Sequence, residues 1–147
     1  MDYHIEKEYK ITLTKEEYLR IKEALAFDEV LDQTNYYYDA HDPKLGMRIR
    51  LSDGLYTFTL KDASLKDVKE YEFKVKELSL NDPRISALLK ELAIKDPSYL
   101  GVLENKRHLK KWPKGELALD KSTYLNTTDY ELEYELYDPN DDDLLNL

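Results

Sequence analysis

Acidic residues recur in pairs that are separated by a single residue, and two arginines show the same spacing. The pairs are Glu6 with Glu8, Glu70 with Glu72, Glu131 with Glu133, and Arg48 with Arg50. Carboxylates placed so close together repel one another unless a cation lies among them. Carboxylate oxygens that lack His or Cys partners favour Mg²⁺ or Mn²⁺, which commonly share their ligands with substrate phosphates. The spacing therefore predicts a divalent-metal site made of carboxylates.

Basic residues at similar positions could bind the phosphate oxygens. Arg offers a planar fork that fits two oxygens at once, and Lys offers a point charge. The ionic residues that we expect on one common face are Glu6, Glu8, Lys10, Arg48, Arg50, Lys61, Glu70, Glu72, Lys74, Arg107, Asp120, Glu131 and Glu133. These are seven acids and six bases, a net charge of roughly −1, and about two divalent cations would bring it to about +3. A triphosphate would match that charge.

Short strands must position these side chains, because most of them alternate with apolar or aromatic residues. Alternation with a period of two is typical of a strand with two unlike faces. The predicted strands are 3–13, 34–39, 46–52, 55–61, 68–76, 100–109, 115–121 and 129–137. Two helices are also predicted, one over 14–26 behind a capping box formed by Thr14 and Glu17, and one over 82–93 behind Asp82 and Pro83.

The pattern predicts an α+β fold in which about eight antiparallel strands close into a barrel with a charged interior and helices packed outside. A barrel of this size can hold one small ligand. The alternative is an open sheet whose charged face simply meets solvent. Repetition of the paired carboxylates in three separate strands favours the enclosed arrangement, since a solvated face more usually scatters Thr, Ser, Gln and Lys.

Composition narrows the class of protein. The 147 residues carry 31 acidic and 22 basic side chains, a net charge of −9. Such a field repels nucleic acid and anionic membranes, so we expect neither as a partner. There is no cysteine and no long apolar run, which excludes disulfides, thiolate metal sites and a predicted membrane span. We expect a single cytoplasmic domain over residues 1–147.

The order and spacing of the ionic motifs resemble the CYTH family, the triphosphate tunnel metalloenzymes, over residues 3 to about 137. The motifs that carry the resemblance are Glu6-x-Glu8-x-Lys10, Tyr37-Tyr38-Asp39, Leu45-Gly46-Met47-Arg48-Ile49-Arg50, Lys61, Glu70-Tyr71-Glu72, Lys106-Arg107, Asp120 and Glu131-Leu132-Glu133. The resemblance implies an eight-stranded antiparallel tunnel that encloses a triphosphate. Compared with the family pattern, the C-terminal helix and final segment look short or missing.

The resemblance also implies roles for individual residues. Metal ligands would be Glu6, Glu8, Glu72, Asp120, Glu131 and Glu133. Phosphate oxygens would be bound by Lys10, Arg48, Arg50, Lys61 and Arg107, and the strand alternation adds Lys74. The residues closest to the chemistry would be Glu6, Glu8, Lys10, Glu131 and Glu133.

The expected activity is metal-dependent hydrolysis of inorganic tripolyphosphate or of a small organic triphosphate. One Mg²⁺ or Mn²⁺ would bridge phosphate oxygens while a second, or the same ion, activates water for in-line attack. Two alternatives stay open: cyclisation, as in class IV adenylate cyclases, and a module that binds polyphosphate or nucleotide without turnover. His4, His41 and His108 are expected to be surface residues, and Asp138 is expected to begin a short C-terminal helix.

Overall fold

The computed structural model describes residues 1–141, which form two α-helices and nine antiparallel strands. The strands are β1 (His4–Glu6), β2 (Glu8–Leu13), β3 (Glu29–Asp39), β4 (Leu45–Ser52), β5 (Leu55–Asp62), β6 (Val68–Val75), β7 (Ser98–Lys111), β8 (Gly115–Tyr124) and β9 (Thr127–Leu136). The helices are α1 (Lys15–Ala24) and α2 (Pro83–Glu91). The predicted α+β class with antiparallel strands is confirmed, and the strand count of eight is corrected to nine.

The extra strand arises because the predicted strand 3–13 is two strands. Strand β1 ends at Glu6, β2 begins at Glu8, and Lys7 separates them. Strand β1 lies beside β6, whereas β2 pairs with β9. The alternation of side chains continues through Lys7, so the sequence carries no sign of the point at which the backbone changes partners.

Strand β3 begins five residues before its predicted start at residue 34. Charged Glu29 and Asp32 have low strand propensity, which hides this part of the strand in the sequence. The backbone N–H of Asp28 donates to the carbonyl of Leu109 at 2.8 Å. The N–H of Lys111 donates to Asp28 Oδ2 at 2.7 Å. These hydrogen bonds between Asp28 and the end of β7 therefore explain why β3 begins earlier than its sequence predicts.

The chain divides into two compact units. Unit 1 is Met1–Ile5 with Gln33–Leu103, and unit 2 is Glu6–Asp32 with the described residues from Glu104 onward. Strands β3 and β7 each contribute residues to both units. The single-domain boundary of 1–147 stays a prediction.

In unit 1 the strand order is β1-β6-β5-β4-β3. Strands β4 and β5 form a hairpin in which Ser52 pairs with Leu55 around the two-residue turn Asp53-Gly54. Both turn residues have positive φ, 55° and 73°. That geometry matches the twist of the flanking strands and explains why Asp-Gly occurs there.

Helix α2 covers the apolar face of unit 1. Asp82 Oδ1 accepts a hydrogen bond from the N–H of Arg84 at 2.8 Å, and Pro83 occupies the first helical position. Ile85 and Leu88 of the helix are completely buried. The core that they join is Ala40, Met47, Ile49, Phe58, Leu60, Tyr71, Val75 and Ile94.

In unit 2 the strand order is β7-β8-β9-β2, and helix α1 packs on one face. The predicted capping box is confirmed: Glu17 N–H donates to Thr14 Oγ1 at 3.1 Å, and Thr14 N–H donates to Glu17 Oε1 at 2.9 Å. Tyr18 of the helix packs with Leu13 and Leu119. The apolar residues of both units thus lie on the faces opposite to the ionic ones.

The chain after β9 makes a turn at Asp138. Asn140 N–H donates to Asp138 Oδ1, and Asp141 N–H donates to the Asp138 carbonyl, each at 2.9 Å. The rest of the helix predicted there lies outside the described residues. Within residues 1–141, no helix has the length and apolar character that crossing a membrane requires.

Candidate functional site

Unit 2 gathers ionic side chains from four neighbouring strands. Lys10 of β2 lies opposite Glu133 of β9, and Glu131 of β9 lies opposite Asp120 of β8. Asp120 in turn lies opposite Arg107 of β7. Because directly paired residues point to the same face, the register alone places these five side chains together. We call Lys10, Arg107, Asp120, Glu131 and Glu133 the unit 2 cluster.

Arg107 is the most enclosed cation of the unit 2 cluster. Its Nε and Nη2 donate to the two oxygens of Asp120 at 2.8 and 2.7 Å, and Nη2 lies 3.5 Å from Glu133 Oε2. Burial disfavours the guanidinium charge, but the hydrogen bonds and charge of Asp120, together with the charges of Glu133 and Glu8, outweigh it and raise the pKa of Arg107. A fork of this kind holds both partners in a fixed orientation.

Lys10 and Glu131 influence each other's ionisation. The Lys10 ammonium lies 3.4 Å from Glu133 and 3.7 Å from Glu131. Burial opposes its charge, but Glu133, Glu131 and Glu8 together raise the pKa of Lys10 above its usual 10.5. Burial also raises the pKa of Glu131, where Lys10 acts in the opposite direction and Glu133 adds to the rise. The carboxylates are therefore crowded even with two cations beside them.

Unit 1 carries a second ionic face with a different composition. Arg48 lies opposite Thr59, which lies opposite Glu72. Thr59 Oγ1 donates to Glu72 Oε2 at 3.4 Å. Two residues away along β5, Thr57 lies opposite Arg50 and accepts a 2.8 Å hydrogen bond from Lys74. This face thus interleaves cations with neutral hydroxyl groups.

Glu70 contacts Lys61 and His4 on the same face of unit 1. It is buried, and its carboxylate lies 3.7 Å from Lys61 Nζ and 3.0 Å from His4 Nε2. The contact fixes the carboxylate that faces Lys61. Glu70 was predicted on this face by alternation, and the register of β5 with β6 places it directly opposite Lys61.

The two arginines of β4 have different surroundings. Arg50 Nε donates to Asn35 Oδ1 at 2.6 Å across the pair of β3 and β4. Arg48 Nε is buried and has no hydrogen-bond partner within residues 1–141. A buried N–H without a partner costs free energy that an added acceptor would recover.

The registers place the predicted site residues on these two faces. In unit 2, Glu8 contributes to the field at Lys10 and Arg107, and Glu6 is buried. Glu72 and Lys74 lie on the ionic face of unit 1. In the part of the chain that the structure describes, no three acidic or histidine side chains converge on an ion-sized site. Lys10 and Arg107 lie among the carboxylates of the unit 2 cluster. The metal and phosphate roles stay predictions.

Neutral polar residues of the ionic faces escaped the sequence reasoning. Asn35 is 1% exposed, and Thr57 and Thr59 also belong to the ionic face of unit 1. The alternation of charged residues does not reveal them, because they carry no charge. The observed register pairs Asn35 with Arg50, but a slip of one residue would turn Asn35 to the other face, and the sequence does not fix this register.

One histidine prediction was wrong. His108 is 7% exposed and packs edge-on against Phe27, with ring centroids 5.3 Å apart. His108 is expected at the surface, like the other two histidines. The register places it on the helix side instead, opposite Leu119. The other two histidines, His4 and His41, have about half of their side chains exposed.

The CYTH domain family model matches residues 4–146. The chain belongs to the CYTH family. This CYTH chain is 35% identical over 153 residues to a Bacillus subtilis protein named "Putative triphosphatase YjbK", a match that covers 94% of the chain and 80% of the relative.

Solved structures share the CYTH fold. A Bacillus halodurans protein described as a candidate adenylate cyclase superposes with a TM-score of 0.83 at 25% identity, covering 95% of this chain and 84% of its own. A Hippeastrum protein, described as a candidate adenylyl cyclase with a dominant triphosphatase activity, superposes with a TM-score of 0.74 at 23% identity. That match covers 92% of this chain and 81% of the Hippeastrum chain.

Proposed function

We propose that this CYTH protein hydrolyses a triphosphate, inorganic tripolyphosphate or a small organic triphosphate, with Mg²⁺ or Mn²⁺ as cofactor. The observation that carries the proposal is the unit 2 cluster, where Asp120, Glu131 and Glu133 crowd on one face beside two cations. The name of the Bacillus subtilis relative supports the same activity for this chain.

The chemistry of the carboxylates fits a hard divalent cation. Oxygen is the only kind of ligand that these side chains offer, which suits Mg²⁺ and Mn²⁺. Burial, with a further contribution from the charge of Glu133, raises the pKa of Glu131, and added positive charge would lower it. We propose Glu6, Glu8, Asp120, Glu131 and Glu133 as ligands, and we retain Glu72 from the family resemblance. A divalent ion, when bound, neutralises phosphate oxygens and lowers the pKa of water.

The basic side chains would bind and orient the phosphates. Arg48 supports this role most directly, because its buried Nε has no acceptor within residues 1–141 and a phosphate oxygen would supply one. Lys10, Arg50, Lys61, Lys74 and Arg107 complete the proposed set. Such groups act by position and charge, which carry most of the catalysis in phosphoryl transfer. No serine or histidine nucleophile is required.

Product analysis by phosphorus NMR tests the proposal. The protein is treated with chelator and incubated with tripolyphosphate and Mg²⁺ or Mn²⁺. We expect orthophosphate and pyrophosphate in equal amounts, and no turnover while chelator is in excess. Release that continues unchanged without divalent ions would contradict the metal requirement.

Cyclisation is the second candidate, favoured by the structural likeness to the Bacillus halodurans protein described as a candidate adenylate cyclase. The same assay with ATP separates the two reactions. Hydrolysis releases orthophosphate, whereas cyclisation releases pyrophosphate and a cyclic nucleotide. Saturable, metal-dependent binding of tripolyphosphate without any product would instead identify a binding module.

A further inference from the structure

We propose that Asn35 is a positioning residue that holds the guanidinium of Arg50 for phosphate binding. The proposal rests on the proposed function and extends it to a residue on β3, a strand from which the sequence motifs name no ligand. Its basis is the contact between a buried amide and a side-chain nitrogen that does not itself need to touch the substrate.

The contact is short and enclosed. Asn35 Oδ1 accepts from Arg50 Nε at 2.6 Å, and only 1% of Asn35 is exposed. Hydrogen bonds from a charged donor are shorter and stronger than neutral ones. Fixing Nε fixes the plane of the guanidinium, because all of its nitrogens are coplanar. The terminal nitrogens of Arg50 are then held in one plane before any ligand arrives.

The choice of an amide has a chemical consequence. In the unit 2 cluster, Arg107 is oriented by the carboxylate of Asp120, which also offsets its charge. Asn35 gives Arg50 an acceptor of similar geometry that adds no negative charge. An aspartate of the same size would orient the guanidinium equally well but would repel an anionic ligand. Orientation without added negative charge is what a phosphate-binding arginine requires.

Arg48 supplies the internal comparison. It lies on the same face of the same strand, two residues away, and its partner on β3 is Tyr37. Its Nε is buried without an acceptor among the described residues. The acceptor at Arg50 is therefore a specific feature of the Asn35 position, and the backbone register alone does not provide it.

A double-mutant cycle with Mg²⁺ and tripolyphosphate tests the proposal. Asn35→Leu removes the acceptor at nearly constant volume, and Arg50→Lys removes the Nε that it holds. We expect Asn35→Leu to lower kcat/KM about tenfold in the wild-type background and less than about twofold in the Arg50→Lys background. Equal losses in both backgrounds would overturn the proposal, since they would show that Asn35 acts only on the fold.

Further variants keep the result interpretable. Asn35→Asp keeps the acceptor and adds charge, so KM should rise more than kcat falls. If Asn35→Leu fails to fold, Asn35→Ala, which also removes the acceptor, takes its place in the cycle. Gln33→Leu removes another buried amide from the same strand, opposite Ser52. It should lower kcat/KM by the same factor in the wild-type and the Arg50→Lys backgrounds.

Binding of tripolyphosphate measured by calorimetry separates the failure of this proposal from that of the proposed function. If wild-type protein binds without turnover, the cycle is run on Kd, and the coupling between Asn35 and Arg50 is still expected. If wild-type protein neither binds nor hydrolyses tripolyphosphate, both proposals fall. If it does either and the two substitutions do not couple, only the role of Asn35 falls.

Discussion

At the scale of single residues, the unit 2 cluster is defined by competition between burial and charge pairing. Burial raises the pKa of Glu131, while Lys10 at 3.7 Å lowers it and Glu133 raises it again. The direction of each contribution makes the cluster testable without substrate. A metal cation that binds among these carboxylates must compete with the positive charges of Lys10 and Arg107.

In metal-free protein, substitutions of Lys10 and of Glu133 should move the pKa of Glu131 in opposite directions. Lys10→Met removes the favourable cation and should raise that pKa further, whereas Glu133→Gln removes a like charge and should lower it. Carboxyl carbon shifts followed by NMR over an acidic pH range measure both effects. Shifts of the same sign in the two variants would contradict the assigned geometry.

The raised pKa of Glu131 also sets the sign of its contribution to stability. A carboxyl group whose pKa is higher in the folded state than in the unfolded chain contributes to stability. The contribution is complete at pH values below the unfolded pKa of about 4.5. This contribution is lost as the pH rises through the folded pKa. Unfolding free energies of wild type and Glu131→Gln should therefore diverge in favour of the variant as the pH rises from 4 to 7.

At the scale of elements, much of the fold follows from alternation. The period of two that separates Ile49 from Arg48 and Leu132 from Glu131 identifies both faces of β4 and β9 from the sequence alone. Once the pairing of the strands is known, it determines which residues lie beside Lys10, Asp120 and Arg107. The break at Lys7 and the early start of β3 could not be read, because both depend on bonds between distant segments.

Helix α1 should depend on the side chain of Thr14. Thr14→Ala removes the acceptor for Glu17 N–H and should lower the free energy of unfolding by about 1 kcal/mol. Thr14→Ser keeps the hydroxyl and should stay within a few tenths of a kcal/mol of wild type. Denaturant titrations of the three proteins measure this, and equal losses in both variants would show that the cap does not stabilise the helix.

His108 should make stability fall in mild acid. Burial, followed by the positive charges of Lys22 and Lys106, lowers the pKa of His108 below its usual 6.5. The unfolded chain therefore takes up a proton before the folded protein does, and stability is lost as the pH falls below about 6.5. His108→Gln should flatten the decline between pH 7 and pH 5, as measured by thermal unfolding. An identical decline in the variant would contradict the buried, neutral imidazole.

At the scale of the whole molecule, the charge of −9 and the proposed anionic substrate are reconciled only by local structure. Within each unit, the ionic residues lie on the strand face opposite to the apolar core. The CYTH family model matches residues 4–146, which include all of these strands. Charge counting in the sequence found the ionic residues, but it could not find Asn35, whose role comes from one contact.

The most direct test of metal-dependent triphosphate hydrolysis is the rate of phosphate release as Mg²⁺ is added back to chelated protein. We predict saturable recovery for wild type and a loss of about 100-fold or more for Glu131→Ala/Glu133→Ala. Asp129→Asn, which removes a carboxylate from the same face of β9 opposite Ser122, should recover to within about threefold of wild type. Equal rates in wild type and the double variant at every Mg²⁺ concentration would contradict the account.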